Sequence, residues 1–290
     1  MVEDGDHDDP GDGMRGVDPA MMRRILVHEA RVHATPGRSL RDLGDSLLLH
    51  DALDPEPFWN RVEAVRWPED PAAFDRRLDE VMILFASLGR RPHIWASPAF
   101  DEPRDLVDRL LVAGFEDVGP GLLMRLDDPA LPGRLVAETM PGTSVELVRW
   151  HGLTGAEADA AAHEIVEVLV DAFSVEPERS GSICAETVAS LGHSWFTHYL
   201  VRWRGEPAAA ARRATFDGLT YLSSIGTARA AQGRGFARLV TAAAAHDAVK
   251  AGSEHITLGV FAENETAIRL YERTGFRMLG RTAADLLLVG

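Results

Sequence analysis

Residues 219–240 read as a strand that enters a glycine-containing turn, and the turn opens directly into an Ala-rich helix. Such a junction aims several backbone N–H groups and the positive end of the helix dipole at one point. A diphosphate is the natural occupant, because Gly235 lets the backbone approach the ligand closely while Arg234 and Arg238 add charge at the rim. The junction therefore predicts a phosphate site where this strand meets its helix.

Two common phosphate-binding motifs do not fit the turn. A dinucleotide fingerprint, G-x-G-x-x-G/A, that started at Gly233 would need a small residue where Arg238 stands. A P-loop ends in Gly-Lys-Ser/Thr, and that tripeptide does not occur in the chain. The pattern that does fit is [Gln/Arg]-x-x-Gly-x-[Gly/Ala], which is met by Gln232, Gly235 and Ala237.

A second signature follows after one predicted helix and one predicted strand. Residues 264–276 read Asn-Glu-Thr-Ala-Ile-Arg-Leu-Tyr-Glu-Arg-Thr-Gly-Phe. This is similar to the Asn-x-x-Ala-x-x-Leu-Tyr-x-x-x-Gly-Phe pattern of the GNAT superfamily of N-acetyltransferases, and residues 232–237 resemble its acetyl-CoA pyrophosphate loop. The resemblance covers nearly all of residues 143–290. It implies an α/β (α+β) fold in which helices flank a mixed, mainly antiparallel central sheet.

The resemblance also implies a set of contacts to acetyl-CoA. Backbone groups of the strand before the loop would bind the pantetheine arm, and residues 232–238 would hold the pyrophosphate. Asn264 would contact the pantetheine arm or the acetyl region, in addition to capping a helix, and Tyr271 would protonate the departing thiolate. The cofactor-binding residues so implied are Ile225, Gly226, Thr227, Gln232, Gly233, Arg234, Gly235, Phe236, Ala237, Arg238 and Asn264.

The implied reaction moves an acetyl group from acetyl-CoA to a primary amine, expected on a small molecule. Direct attack in a ternary complex is favoured over an acyl-enzyme, because no nucleophile with a partnered base is apparent. One alternative is a non-catalytic acyl-CoA-binding sensor or scaffold, in which Tyr271 would be only a core aromatic. Another is an acetyltransferase whose acceptor is a protein amine.

The sequence does not identify the general base that would deprotonate the amine. The strand over residues 219–227 carries no carboxylate or histidine, where some members of the family keep a glutamate. The candidates are Asp171, Glu176, His193, His198 and Tyr221.

Composition breaks predict how the chain is divided. Pro and Gly cluster at residues 127–133 and again at 140–142, which is typical of a connection between domains. The predicted parts are a flexible acidic tail over 1–18, a domain over 19–128, a linker over 129–142 and a catalytic domain over 143–290.

The first domain is predicted to be a degenerate copy of the second. Residues 105–115 repeat the pattern of residues 266–276, with a helix that ends at Gly-Phe between two strands. Leu110 stands where the second copy has Tyr271, and Pro103 where it has Asn264. No Gln-x-x-Gly-x-Gly/Ala precedes Phe115, so this copy is expected to bind no CoA. It could still shape the acceptor site.

Hydrophobic periodicity and turn residues predict the elements along both copies. Predicted strands cover residues 46–50, 61–67, 93–97, 122–126, 195–203, 208–216, 219–227, 255–261, 277–280 and 285–289. Predicted helices cover 71–88, 103–112, 154–173 with a capping box at its start, 185–191, 235–251 and 264–273.

Charge and cysteine content exclude several classes of partner and site. The formal net charge of −15 argues against nucleic acid and mildly favours a cationic acceptor. The single cysteine, Cys184, excludes an intrachain disulfide and a thiolate zinc cage. His28 and His33 are five residues apart, about 140° around a helix, so no metal site is expected.

The remaining sequence features bear on location and on the acceptor. The chain begins with acidic residues and has no apolar run of the length a membrane helix needs, so a cytoplasmic protein without a membrane partner is expected. Residues 58–60, Phe-Trp-Asn, are expected to form a packed loop corner, with the wall of an acceptor pocket as the alternative. The sequence does not predict the oligomeric state.

Overall fold

A computed structural model describes residues 18–98, 100–139, 144–280 and 282–289, in which eight α-helices and thirteen strands are formed. The helices are α1 Pro19–Ala34, α2 Pro71–Leu88, α3 Leu106–Val112, α4 Leu131–Thr139, α5 Gly155–Phe173, α6 Pro177–Leu191, α7 Phe236–Lys250 and α8 Glu265–Glu272. The strands are β1 Ser39–Asp42, β2 Leu47–His50, β3 Arg61–Glu63, β4 His93–Ala96, β5 Phe115–Asp117, β6 Gly121–Leu126, β7 Val145–Trp150, β8 Phe196–Trp203, β9 Glu206–Phe216, β10 Leu219–Thr227, β11 His255–Phe261, β12 Phe276–Met278 and β13 Ala284–Leu288.

The strands form two sheets with the same plan. The first has the order β1-β2-β3-β4-β13-β5, and the second has the order β7-β8-β9-β10-β11-β6-β12. Each sheet contains one parallel pair, β3 with β4 and β10 with β11, and the other pairs are antiparallel. The predicted mixed, mainly antiparallel fold with two tandem copies is confirmed.

The two sheets exchange one strand each. Strand β6 precedes the Pro- and Gly-rich connection, yet it lies between β11 and β12 in the second sheet. Strand β13 ends the chain, yet it lies between β4 and β5 in the first sheet. The predicted boundary at residues 129–142 therefore does not separate the sheets. Both strands are short apolar segments, and such a pattern does not indicate which of two sheets a strand will join.

Helices cover both faces of the second sheet. Helices α7 and α8 pack on one face, in a core cluster that contains Leu222, Leu258 and Tyr271. Helix α5, with α6 against it, packs on the other face around Leu200 and Ala210. Next to them on that face lies α1, from the N-terminal part of the chain, where Val32 joins a cluster with Tyr221. The first sheet packs on α2 and α3.

Local signals explain why the best-predicted helix has its observed ends. Asp70 caps α2 by accepting the N–H of Ala73 at 2.9 Å, and Pro71 occupies the first turn, where no intrahelical N–H bond is lost. Gly89 ends the helix in a left-handed conformation, with φ of 63°. The observed helix therefore covers residues 71–88, the range that these signals predict.

Several elements differ from the sequence prediction. Helix α1 and strands β1, β5 and β7 were not predicted, and residues 131–139 of the predicted linker form α4, which packs on α7. Helix α6 begins at Pro177 rather than near residue 185. Proline suits the first turn of a helix, because its missing N–H has no intrahelical partner there. Helix α3 begins at Leu106 rather than at Pro103. The predicted capping box at Thr154 forms no side-chain cap, although α5 begins there.

Two predictions fall largely outside the described residues, namely the acidic tail over 1–18 and the Pro-Gly pair at 141–142. Asp18, the last residue of that tail, caps α1 through the N–H of Met21 at 2.7 Å. Over the ranges that the structure describes, no helix combines the length and apolarity that a membrane crossing requires.

Candidate active site

A cleft opens in the middle of the second sheet, between β10 and β11. These parallel strands pair from Leu219 to Leu222, opposite His255 to Leu258, and then diverge. Beyond that point β10 continues to Thr227 and β11 to Phe261. Gly259, the first residue of β11 after the last pair, is exposed. The diverging ends therefore leave backbone groups of both strands facing a solvent-accessible opening.

A β-bulge lies in β10 at the wall of this cleft. Ser223 pairs with Arg212 and Gly226 pairs with Ala210, so two residues of β10 oppose one residue of β9. Ser224 has a φ of 51°, in the left-handed region that non-glycine residues rarely adopt. A bulge of this kind redirects backbone groups out of the ladder. Ser224 and Ile225 can therefore turn an N–H toward the cleft, where it could stabilise an oxyanion.

Gly226 is required by packing as well as by its predicted contact to the cofactor. A Cβ at this position would lie 3.0 Å from the Cβ of Ala172 and 3.4 Å from the side chain of Leu169. Glycine thus lets the C-terminal end of α5 lie close against the bulge.

The N-terminus of α7 is open to an anion. Gly233 and Gly235 have φ of 74° and 83°, and a Cβ on either would meet nothing within 4 Å. Gly235 is the N-cap of α7 and, having no side chain, leaves the N–H groups of the first turn without a side-chain cap. Free N–H groups and the helix dipole at one exposed point suit a phosphate.

Two buried polar atoms at this junction have no partner among the described residues. One is Thr227 Oγ1, at the end of β10, and the other is Arg238 Nε, in the first turn of α7. Unsatisfied buried polar atoms are rare in native proteins and often mark a ligand site. The polar groups at this junction therefore fit a ligand that carries phosphate, such as acetyl-CoA. Arg234 instead stacks on Trp203, with its guanidinium 4.1 Å from the ring centroid.

Tyr271, the predicted proton donor, lies in the core cluster that also holds Phe236, Leu258 and Ile225. Only 7% of the residue is exposed. Burial raises the pKa of Tyr271 to about 12, so the phenol keeps its proton at neutral pH. Asn264 caps α8 by accepting the N–H of Ala267 at 3.1 Å.

The corresponding helix of the N-terminal copy is closed to an anion. The carboxylate of Asp70 already accepts a first-turn N–H of α2, and Pro71 has no N–H to offer. A second negative group at this point would meet the charge of Asp70 at close range. This observation supports the prediction of a degenerate copy on structural grounds that differ from the missing motif.

Two of the five predicted base candidates, His193 and His198, are engaged in packing and hydrogen bonding. His198 is bonded to Ser190 Oγ at 2.8 Å, and burial, aided by the charge of Arg212, lowers the pKa of His198 to about 3. His193 packs edge-on against Trp195, with the ring centroids 4.8 Å apart. These two histidines therefore have structural roles on β8 and the turn before it.

Asp171 and Glu176 line a groove of about 740 Å³ between α5 and α6. Asp171 also accepts the backbone N–H of Arg229, at the entry to the pyrophosphate loop. Glu167 adds a third carboxylate to the groove, and Cys184 lies on its α6 side. Arg229 also lines the groove and lies 3.8 Å from Asp171, so one of the three carboxylates is already paired. The remaining negative charge would attract a cationic acceptor.

A buried ionic network, which no local sequence pattern indicates, joins the bulge to the N-terminal part of the chain. Arg212 donates to Ser223 Oγ at 3.0 Å and pairs with Glu186 at 2.9 Å. Glu186 also pairs with Arg38 at 2.9 Å. Burial opposes the ionised form, but the charges of Arg212 and Arg38 lower the pKa of Glu186 to about 2.

A second contact between the second sheet and the N-terminal part of the chain involves Tyr221, the remaining base candidate. Its hydroxyl donates to Glu29 Oε1 of α1 at 3.1 Å, and His33 lies one helical turn beyond Glu29. Phe58 and Trp59 pack on His33, so residues 58–60 form the predicted packed corner, close to Tyr221. No local pattern connects Glu29 with Tyr221, because 192 residues separate them.

Comparison with known proteins agrees with the cleft geometry. Residues 162–276 match the Acetyltransferase (GNAT) family. The chain is 31% identical over 167 residues to a mycothiol acetyltransferase from Gordonia bronchialis, covering 54% of this chain and 49% of that protein. It therefore spans about half the length of that relative.

Two solved structures share the fold over most of the chain. A GCN5-related N-acetyltransferase from Kribbella flavida has a TM-score of 0.64 at 23% identity, covering 90% of this chain and 95% of that one. A tandem GNAT protein from the clavulanic acid biosynthesis pathway has a TM-score of 0.57 at 13% identity, covering 89% of this chain and 86% of that one.

Proposed function

Because residues 162–276 form a domain of the acetyltransferase (GNAT) family, we propose that this chain transfers an acetyl group from acetyl-CoA to a primary amine of a small molecule. The observation that carries the proposal is the uncapped N-terminus of α7 at the mouth of the β10–β11 cleft. The name of the Gordonia relative supports acetyl transfer as the reaction.

Each part of the cleft has a chemical task in this proposal. Acetyl-CoA supplies the acetyl group as a thioester. The first-turn N–H groups of α7, with Gln232 and Arg238, hold the pyrophosphate, and β10 aligns the pantetheine arm through Ile225, Gly226 and Thr227. The bulge offers N–H donors to the charge that develops on the carbonyl oxygen. Tyr271 gives its phenolic proton to the sulfur as the C–S bond breaks.

The acceptor side of the sheet favours a small molecule. Helix α1 covers β10 next to the cleft, and an ion pair joins Arg24 of α1 to Glu254 at 3.1 Å. The groove between α5 and α6, at about 740 Å³, lies within the usual size range of small-ligand pockets. Glu167 and Glu176, the groove carboxylates that do not pair with Arg229, suit the positive charge of an amine.

The cofactor site is tested by a Gly235→Glu variant. A carboxylate at the N-cap would bond the first-turn N–H groups and repel the pyrophosphate. We expect the acetyl-CoA affinity, measured by calorimetry, to fall at least about tenfold, the cost of losing a charge-assisted hydrogen bond. Gly252→Glu is a matched control, since Gly252 follows the other end of α7, has a φ of 77° and also has nothing within 4 Å.

The reaction is tested by following CoA release from the wild-type chain with a panel of small primary amines and a lysine-containing peptide. Release that depends on one of the small amines, and that is lost in Gly235→Glu but kept in Gly252→Glu, supports the proposal. Release with the peptide alone would shift the acceptor to a protein amine. Tight acetyl-CoA binding without release for any amine would favour a non-catalytic acyl-CoA-binding protein.

A further inference from the structure

The proposed reaction leaves one proton unassigned, because the attacking amine must lose a proton and β10 carries no carboxylate or histidine. We propose that Tyr221 takes this proton at the cleft and passes its own to a Glu29–His33 pair contributed by α1 of the N-terminal copy. The inference rests on the proposed acetyl transfer, and it makes the degenerate copy part of the active site.

The phenol of Tyr221 is placed at the point where the strands part. Tyr221 immediately precedes Leu222, the last residue of β10 that pairs with β11. Its hydroxyl lies over the exposed Gly259, and a Cβ added to that glycine would be 2.8 Å from the phenol oxygen. A glycine here thus leaves room for the phenol beside the opening. Only 4% of Tyr221 is exposed, so its oxygen reaches the cleft across Gly259 while the hydroxyl donates to Glu29.

Glu29 and His33 form a pair behind the phenol. His33 Nε2 lies 3.5 Å from Glu29 Oε1, the same oxygen that accepts the Tyr221 hydroxyl. The His33 side chain is 7% exposed, and neither ring nitrogen has a hydrogen-bond partner among the described residues. Nε2 faces Glu29 at a distance longer than an ordinary hydrogen bond, so a proton that reaches Glu29 has an acceptor beside it.

The charges around the pair set its resting state. Burial lowers the pKa of His33, and the charge of Arg61 lowers it further, whereas Glu29 and Glu63 raise it. Because burial is the largest effect, the imidazole rests neutral. Burial opposes ionisation of Glu29, but its contacts with His33 and Tyr221 and the charge of Arg61 lower the pKa of Glu29. Arg61 is held by Glu63 at 2.9 Å. The resting relay is therefore a neutral tyrosine, a carboxylate and a neutral imidazole.

The proton transfer is balanced without another reactant. As the amine nitrogen bonds to the carbonyl carbon, its proton moves to the Tyr221 oxygen and the phenolic proton moves to Glu29. From Glu29 the proton can reach Nε2 of His33, which leaves an imidazolium beside a carboxylate. Burial raises the pKa of Tyr221 well above its ordinary value, so a free tyrosinate is unfavourable and the two transfers are concerted.

The test compares Glu29→Gln and Tyr221→Phe with wild type, using the full chain and the most active amine of the panel. A second assay follows acetyl-CoA hydrolysis in the absence of amine, in which water is the nucleophile that must lose a proton. Both variants are expected to lower kcat about 100-fold, at the lower edge of general-base effects, with unchanged KM for acetyl-CoA. The acidic limb of the kcat/KM profile against pH should change in Glu29→Gln. Tyr221→Phe removes one hydroxyl only and preserves packing.

Arg24→Gln is the matched control, because it breaks another contact between α1 and the second sheet while leaving the relay in place. It should keep the wild-type kcat and pH profile. Wild-type kcat in Glu29→Gln would overturn the relay and leave the acetyl transfer intact, as would equal losses in Glu29→Gln and Arg24→Gln. Wild-type protein that binds acetyl-CoA but releases no CoA with any amine or water would overturn the proposed function itself.

Discussion

Replacing Tyr271 with Phe is expected to lower kcat by about 10²- to 10⁴-fold, the range that a positioned general acid contributes. The phenol is buried and burial raises its pKa to about 12, so it enters the reaction fully protonated. A leaving thiolate gains that proton as the C–S bond breaks. Phe keeps the ring against Phe276, whose centroid is 6.3 Å away, so the packing of α8 is preserved.

The measurement is steady-state CoA release together with calorimetric affinity for acetyl-CoA, which should not change. Tyr199→Phe is the matched control, since Tyr199 is a second buried tyrosine of the same core cluster. Its hydroxyl donates to Asp247 at 3.1 Å, so this variant should lose stability and keep kcat. If Tyr271→Phe retains the wild-type kcat, Tyr271 is only a core aromatic.

Replacing Leu286 with Ala is expected to destabilise the protein by about 2–5 kcal/mol, the usual cost of truncating a buried leucine. The residue lies near the end of the chain, where substitutions generally cost little. Here, however, β13 sits between β4 and β5, and Leu286 is fully buried in the core of the first sheet. Truncation would leave a cavity in that core.

Chemical denaturation measures the free energy of unfolding for this variant. Val289→Ala is the comparison, because Val289 lies after β13 and is 36% exposed, so its loss should stay within about 0.5 kcal/mol. Similar free energies of unfolding for the two variants would contradict the placement of β13 inside the first sheet.

The parts of the fold that the sequence predicted are those that depend on local signals. Helix α2 has a capping aspartate, a first-turn proline and a terminal glycine, and its range was predicted to the residue. The β10–α7 junction likewise depends on Gly233 and Gly235, whose left-handed conformations serve the turn itself. The roles of residues 225–238, Asn264 and Tyr271 toward acetyl-CoA stay predictions.

The parts that were not predicted depend on contacts between distant segments. Helix α1 has the same aspartate cap and first-turn proline as α2, but it ends without a glycine and was not predicted. The contact of its Glu29 with Tyr221 joins residues 192 positions apart, so no local pattern reveals it. The ionic network through Glu186 also joins three separate segments. The exchange of β6 and β13 is non-local in the same way, because alternation along a strand carries no information about its neighbours.

In topological terms, the exchange makes this chain a domain-swapped pair joined end to end. Each copy lends the other an interior strand, so a polypeptide cut after Thr139 would expose unpaired edges of β4 and β5 and would present β6 with no sheet to join. The copies should consequently unfold in one cooperative transition. The same arrangement is what fusion of a strand-exchanged homodimer would leave.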